Sequence, residues 1–294
     1  MKNALTIDVE DYFQVSAFAP HIDRDDWGRL ECRVERNVER ILALLDERGI
    51  RATFFTLGWL AERYPGLVRA IAAQGHEIAS HGYGHERASD LSRQRFLADI
   101  RSAKAILEDL SGQAVVGYRA PSFSIGHANL WAFDCLAETG HRYSSSIYPI
   151  RHDHYGMPDA PRFAHRRDNG LLEVPVTTVR LAGRNLPSSG GGYFRLLPYA
   201  VSRWLLDRVN GVDGESAVFY FHPWEIDPGQ PRISGIGMKT RFRHYVNIGR
   251  TEARLARLLD DFEWGRMDEI FLRSADLTTD TTAPAMQVRP ALPC

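Results

Sequence analysis

The chain has 294 residues, 44% of them hydrophobic, which is enough to bury one large core in a single α/β domain. Lys and Arg number 36 against 37 Asp and Glu, and the net charge of -1 removes any electrostatic reason to expect a nucleic acid or an anionic membrane as partner. Cys32, Cys135 and Cys294 are odd in number, widely spaced and without a CxxC pair, which argues against a disulfide framework or a cysteine zinc site and makes a reducing compartment the expectation.

The N-terminal stretch reaches carboxylates within its first 10 residues without an apolar signal region, and no apolar run is long enough for a membrane span. A cytoplasmic protein without a transmembrane segment is therefore expected. Leu5-Thr6-Ile7 reads as a first strand ending at Asp8. Residues 33–48 carry Val34, Val38, Ile41, Leu42 and Leu45 at helical spacing and stop at Gly49, which suits a left-handed cap. A strand over 52–57, a helix opened by Pro65 and closed at Gly75, and a strand over 77–80 follow.

Helices are then expected near 92–110 and 128–138, with strands at 115–118 and near Tyr143. Strands over 171–179 and 217–221 flank a helix at 198–209, and a last helix spans about 247–262. Gly190-Gly191-Gly192 is too glycine-rich for an element interior and reads as a loop in close approach to ligand or backbone, or as a connector. From residue 274 the chain is Thr- and Pro-rich without periodicity, so 274–294 reads as a loose tail.

Repeated strand-helix units imply a parallel sheet or barrel, in which the polar residues ending each strand carry function. Four ends stand out: Asp8-Val9-Glu10-Asp11, His81-Gly82-Tyr83-Gly84-His85, Arg119-Ala120-Pro121 and His222-Pro223-Trp224. His81 and His85, four apart, can reach one metal, from a tight loop more readily than from a helix given the two glycines. Asp8, Glu10 and Asp11 crowd carboxylates whose repulsion and desolvation a cation would relieve. Alternation puts Asp8 and Glu10 on one side, whereas a turn beginning at Glu10 would present Asp11; Glu10 is placed ahead of Asp11 as the metal carboxylate. Trp224 and Tyr12 offer aromatic faces for a sugar ring or for ordinary core packing.

Together these motifs resemble the polysaccharide deacetylase family, carbohydrate esterase family four, over roughly residues 1–150 plus the His222 segment. The family's Thr-Phe-Asp-Asp-Gly, His-(Ser/Thr)-x-x-His, Arg-x-Pro and Leu-x-His motifs correspond to Thr6–Asp11, His81–His85, Arg119–Pro121 and Tyr220–His222. The departures are Asp-Val-Glu-Asp for the adjacent Asp pair, Gly82 for the Ser or Thr, Tyr220 for Leu, and Tyr143-Ser144-Ser145-Ser146-Ile147-Tyr148 where an Asp-containing fourth motif would stand. The whole chain looks closest to a subgroup associated with bacterial exopolysaccharide loci, through Asp8–Phe13, Gly190–Arg195 and Arg243–Asn247.

The resemblance implies a distorted (β/α) barrel with fewer than eight full repeats, formed by residues 1–273 as a single catalytic domain. It implies a hydrolase that removes N-acetyl groups from a sugar of a bacterial surface or exopolysaccharide, or of its precursor. One Zn2+ or similar divalent ion per chain would be held by His81, His85 and Glu10 or Asp11. Asp8 would act as base, Arg119 would orient Asp8, and His222 would act as acid, with Pro121, Trp224 and Tyr12 facing the glycan. Two other readings stay open: hydrolysis of a non-sugar amide or cyclic imide, as in allantoinase-like relatives, and a catalytically silent carbohydrate-binding scaffold. The sequence leaves the oligomeric state undefined.

Overall fold

The structure, a computed structural model, describes residues 1–152 and 155–272; the expected tail at 274–294 lies outside the described residues. The first half alternates strand and helix through β1 (Lys2–Val9), α1 (Val34–Asp46), β2 (Thr53–Thr56), α2 (Gly58–Arg63), α3 (Pro65–Ala73), β3 (Glu77–Ser80), α4 (Arg93–Ser111), β4 (Gly117–Tyr118), α5 (Ala132–Glu138) and β5 (Tyr143–Ser144). The second half is less regular. It contains β6 (His165–Arg166), β7 (Leu172–Glu173), the hairpin of β8 (Thr178–Leu181) and β9 (Arg184–Pro187), then α6 (Gly191–Leu196) and α7 (Tyr199–Arg208). β10 (Val218–Phe221), α8 (Met238–Tyr245), α9 (Ile248–Asp261) and β11 (Glu263–Gly265) complete it.

The main sheet runs β10-β1-β2-β3-β4-β5-β7-β6, with neighbours parallel except β6 and β7, and β11 pairs β1 at its start. This curled sheet with its helices is a distorted (β/α) barrel of fewer than eight full repeats. Side chains of β1 alternate between two environments, as a pleated strand requires. Leu5, Ile7 and Val9 pack outward with Val34, Val38 and Ile41 of α1, whereas Ala4 joins Phe55, Ala79, Tyr143, Val218 and Met267 inside. Each fully buried aliphatic chain on the outer layer contributes about 1.5–3 kcal/mol. Because Asp8 lies an even number of residues from Ala4, it points inside and emerges at the C-terminal mouth of the sheet.

Gly49 takes the left-handed conformation expected of it, with φ +61°. The stretch 171–179 is not one strand. Leu172–Glu173 pairs with β5, the chain then leaves the sheet, and among the described residues Thr178–Leu181 pairs only with β9; continuous burial through Val179 conceals the break in the sequence. Nor is the glycine triplet a loop: Gly190 caps α6, and Gly191 and Gly192 form its first turn. The close approach to backbone is present, since a Cβ on Gly190 would lie 2.0 Å from the Tyr220 carbonyl oxygen. Helices α2 and α8, of 6 and 8 residues, are too short to announce themselves by periodicity. Among the described residues no helix is long and apolar enough to cross a membrane.

A buried histidine at the opposite end of the sheet gives a test of this packing. The Ala52 backbone N–H donates to Nδ1 of His76 at 3.1 Å, so that nitrogen must be unprotonated. Burial, with Arg51 and Arg266 nearby, pushes His76 down to about 4. Since the unfolded imidazole titrates near 6.5, the unfolded state binds the proton first, and stability is full above that pH and falls as pH drops toward 4. Urea titrations of wild type and His76→Gln between pH 7 and about 4 are expected to show a shallower acid loss in the variant. The difference separates His76 from buried acids of opposite sign such as Glu173, which burial raises to about 7. Identical slopes would show that His76 does not titrate in this range.

Candidate active site

Arg119 leaves the end of β4 and is 0% exposed, so its charge is tolerable only if its donors are met. Nη1 donates to Asp8 Oδ1 at 2.6 Å and to Thr6 Oγ1 at 2.8 Å, while Nε and Nη2 donate to the Ser145 carbonyl and hydroxyl at 3.2 and 2.9 Å. The guanidinium lies over the Phe55 ring, 4.1 Å from its centroid. A surface ion pair with a neighbouring acid, equally compatible with the sequence, is excluded by this burial. The charge-assisted bond fixes Asp8 with Oδ2 turned toward His222.

Ligand atoms of Glu10, His81 and His85 all lie within 4.8 Å of one another, and all three residues are buried. His81 Nδ1–H donates to the Arg119 carbonyl at 2.8 Å, which leaves Nε2 with a free lone pair. His85 Nε2 stands 2.7 Å from Glu10 Oε2. This buried two-imidazole, one-carboxylate set fits a divalent ion of the zinc type. Burial lowers His81 to about 4. Burial pushes the Glu10 carboxyl up, but His85, His222 and His81 outweigh it and hold it well below the usual carboxylate range.

The loop between the two histidines is fixed from below. Gly82 has φ +77°, and a Cβ there would meet Asp99 Oδ2 at 2.8 Å. Asp99 accepts the Tyr83 N–H at 3.1 Å, and the Gly82 and Tyr83 carbonyls accept the first amides of α2. Asp99 thus steadies the loop where the family's Ser or Thr is missing. His85 itself has φ +53°, an unusual conformation for a residue with a side chain.

Asp11 requires a correction as a metal candidate. Its Oδ1 accepts the Tyr12 N–H at 2.7 Å, and its Oδ2 accepts the Arg33 and Val34 N–H groups at 2.5 and 2.8 Å. Those are unpaired donors at the start of α1, which attract a carboxylate. Alternation sends Glu10 inward with Asp8 and leaves Asp11 to the helix layer. Tyr12 and Trp224 are corrections too, at 2% and 5% exposed. Tyr12 packs edge-on against Phe13, and Trp224 stacks on His222 and His244, with centroids at 5.2 and 4.2 Å, so neither offers a face to a sugar. Pro121 is also buried, opening a short 3-10 turn.

His222 ends β10 with its side chain 17% exposed. Its Nε2 lies 3.4 Å from Glu10 Oε1 and 3.9 Å from Asp8 Oδ2, and its Nδ1–H donates to Glu225 Oε1 at 2.7 Å. Burial lowers the imidazole, but Glu10, Glu225 and Asp8 outweigh it and raise it to about 9. Asp8, Glu10, His81, His85, Arg119 and His222 therefore share one mouth, while Asp11, Tyr12, Trp224 and Pro121 support its walls. The sequence reading missed Glu225, Ser145, Asp99 and Arg195. For Glu225 a signal existed: it stands three residues after His222, within one turn.

The two carboxylates are separable by measurement. Glu10→Gln is expected to lose most bound metal, with little change in fold. Asp11→Ala is expected to retain metal but to unfold more easily by about 1–3 kcal/mol, the cost of uncapped amides at a helix start. Metal analysis and urea unfolding of both variants check this; metal loss in Asp11→Ala alone would reverse the assignment.

Residues 25–143 match the family model described as Polysaccharide deacetylase, and residues 145–272 match one described as Domain of unknown function (DUF3473). A peptidoglycan deacetylase-like protein of Gibberella zeae is 35% identical over 112 residues, 37% of this chain and 32% of its own length. A peptidoglycan-N-acetylglucosamine deacetylase of Bacillus cereus is 35% identical over 82 residues, 28% of this chain and 30% of its own length. The match thus spans about a third of either curated relative. Along nearly the whole chain, a Mycobacterium smegmatis protein assigned to the polysaccharide deacetylases superposes with a TM-score of 0.58 at 25% identity, covering 99% of this chain and 94% of that one. The family model thus meets the His81–His85 and Arg119–Pro121 motifs, and a solved fold matches along nearly the whole chain, so the chain is similar to polysaccharide deacetylases in its first half and in its overall architecture.

Proposed function

We propose that the protein is a metal-dependent amide hydrolase that removes N-acetyl groups from a sugar of a bacterial surface or exopolysaccharide, or of its precursor. One observation carries this reading: the buried Glu10, His81 and His85 set shares a mouth with the Arg119-held Asp8 and with His222, whose Nε2 is 3.4 and 3.9 Å from the Glu10 and Asp8 carboxylates. The Bacillus cereus relative's name supports N-acetylglucosamine as the sugar. The exopolysaccharide assignment rests on the resemblance through Asp8–Phe13, Gly190–Arg195 and Arg243–Asn247.

Amide hydrolysis needs a nucleophile, stabilisation of the oxyanion and an acid for the leaving amine. Held by Glu10, His81 and His85, a divalent ion, zinc by its donor set, would supply Lewis-acid polarisation of the acetyl carbonyl and lower the pKa of water to about 7. Asp8 accepts the proton of the attacking water through Oδ2, because Oδ1 is committed to Arg119. Arg119 orients that carboxylate and, through its backbone carbonyl, the His81 ring. His222 delivers a proton from Nε2 to the amine nitrogen, which leaves poorly as an anion.

Acetate release from N-acetylglucosamine oligomers and other N-acetylated glycans, with defined added metals, tests the proposal. Asp8→Asn is expected to keep metal and lose turnover. His222→Ala is expected to keep fold and metal but lose about two orders of magnitude in kcat. Turnover of cyclic imides alone would move the activity to non-sugar amides, and glycan binding without turnover by any metal form would make the protein a silent scaffold.

A further inference from the structure

We infer that the segment 145–272 completes this active site: Arg195 and Glu225 are positioning residues that hold His222 as proton donor, and Trp224 of the same turn holds Glu10. The inference rests on the proposed hydrolysis for its catalytic meaning and on contacts alone for its geometry. The stretch 143–148 carries serines and no carboxylate, and Ser145 is already committed to Arg119. His222 nevertheless has a carboxylate partner across the 3-10 turn Pro223–Ile226, where Glu225 Oε1 accepts both its Nδ1–H and its backbone N–H, at 2.7 and 3.1 Å.

Glu225 is itself held from behind. Its Oε2 accepts Arg195 Nε at 2.6 Å, and Arg195 spends its other donors on the carbonyls of Arg243, His244 and Val246. Both side chains are essentially inaccessible. A buried ion pair is a poor source of stability, since apolar residues of the same volume serve as well or better. This one has a direction: its remaining oxygen is aimed at an imidazole whose other nitrogen faces the reaction mouth. The ring cannot easily turn, because it lies nearly parallel to Trp224, at 16°, and Trp224 is pinned by His244 and by an Nε1–H bond to Glu10 Oε1 at 3.3 Å. The glycine-rich Gly190–Arg195 stretch and the Arg243–Asn247 stretch thereby acquire one shared task. Gly190 lets α6 come against Tyr220 so that Arg195 reaches Glu225, and Arg243–Val246 supply the carbonyls that hold it.

Glu225→Gln, which keeps shape but removes the charge, tests the assignment. Its kcat on an N-acetylglucosamine oligomer is expected to fall by about tenfold or more, with KM and metal content within about twofold of wild type. The loss should shrink on an acetyl ester with a good leaving group, which needs less protonation. Arg195→Lys is expected to give the same pattern more weakly, and serves if Glu225→Gln does not fold. Nitrogen-15 histidine NMR of the purified protein supplies a readout independent of turnover: a strongly deshielded Nδ1 proton on His222 in wild type, lost in Glu225→Gln. If wild type releases no acetate from any substrate, the hydrolase proposal fails while the NMR comparison still decides the contact. Unchanged kcat, an equal loss on amide and ester, or an unchanged Nδ1 signal would overturn the positioning role.

Discussion

Arg119 brings a full positive charge into a site without solvent, where such a charge is tolerated only if nearly every donor finds an oxygen. The oxygens come from Thr6 and Asp8 on β1 and from Ser145 just past β5, so one side chain ties the centre of the sheet to strands farther along it. Thr6 in turn donates to the Phe219 carbonyl on β10. The backbone of the same arginine receives the His81 ring. The proposed base and one proposed metal ligand are thus oriented by a single residue, and a change that displaces it disturbs both at once. Truncating one partner of such a buried pair leaves an uncompensated charge, which is why this position has little tolerance.

How much of this was legible in the sequence follows from how local each determinant is. The strand ends at Asp8, Ser80–His81, Arg119 and His222 could be located because alternation and helix spacing act over a few residues. The inward direction of Glu10 also followed from alternation with Asp8. What fixes Asp11 instead is the start of α1, 22 positions later, whose free amides take its carboxylate; no local pattern gives that docking. Trp224 was ambiguous because an aromatic residue after a strand end looks the same whether its face is open or covered. Its partners, His222 and His244, come together only in the folded chain. The strand over 171–179 failed for the opposite reason: continuous burial erased the change of direction at Val174–Thr177.

The two matched segments share one core as well as one site. Asp227, just past the His222 turn, accepts Arg33 Nε at 2.6 Å, Arg36 at 3.0 Å and Asn37 at 3.3 Å, fastening the late segment to the start of α1. That same helix start holds Asp11 and so sets the exit of β1. Asp227 is drawn down to about 2: burial opposes this, but the bonds from Arg33 and Asn37 prevail. The stretch carrying Glu10 and Asp11 and the turn carrying His222 are therefore joined through α1 as well as across the mouth.

The position of β1 in the sheet also has a consequence for the order in which the molecule assembles. This first strand lies between β2 and β10, with β11 pairing its first residues, and Thr6 and the Phe219 carbonyl it contacts are 213 positions apart. Such a pairing closes a very long loop and is entropically late, and during synthesis its partner emerges long after β1 itself. Glu10, His81, His85 and Arg119 all lie in the early part of the chain, whereas His222 follows β10 in its late part. The pairing of β10 beside β1 is therefore what brings His222 to Asp8 and Glu10, and the mouth is incomplete until it forms.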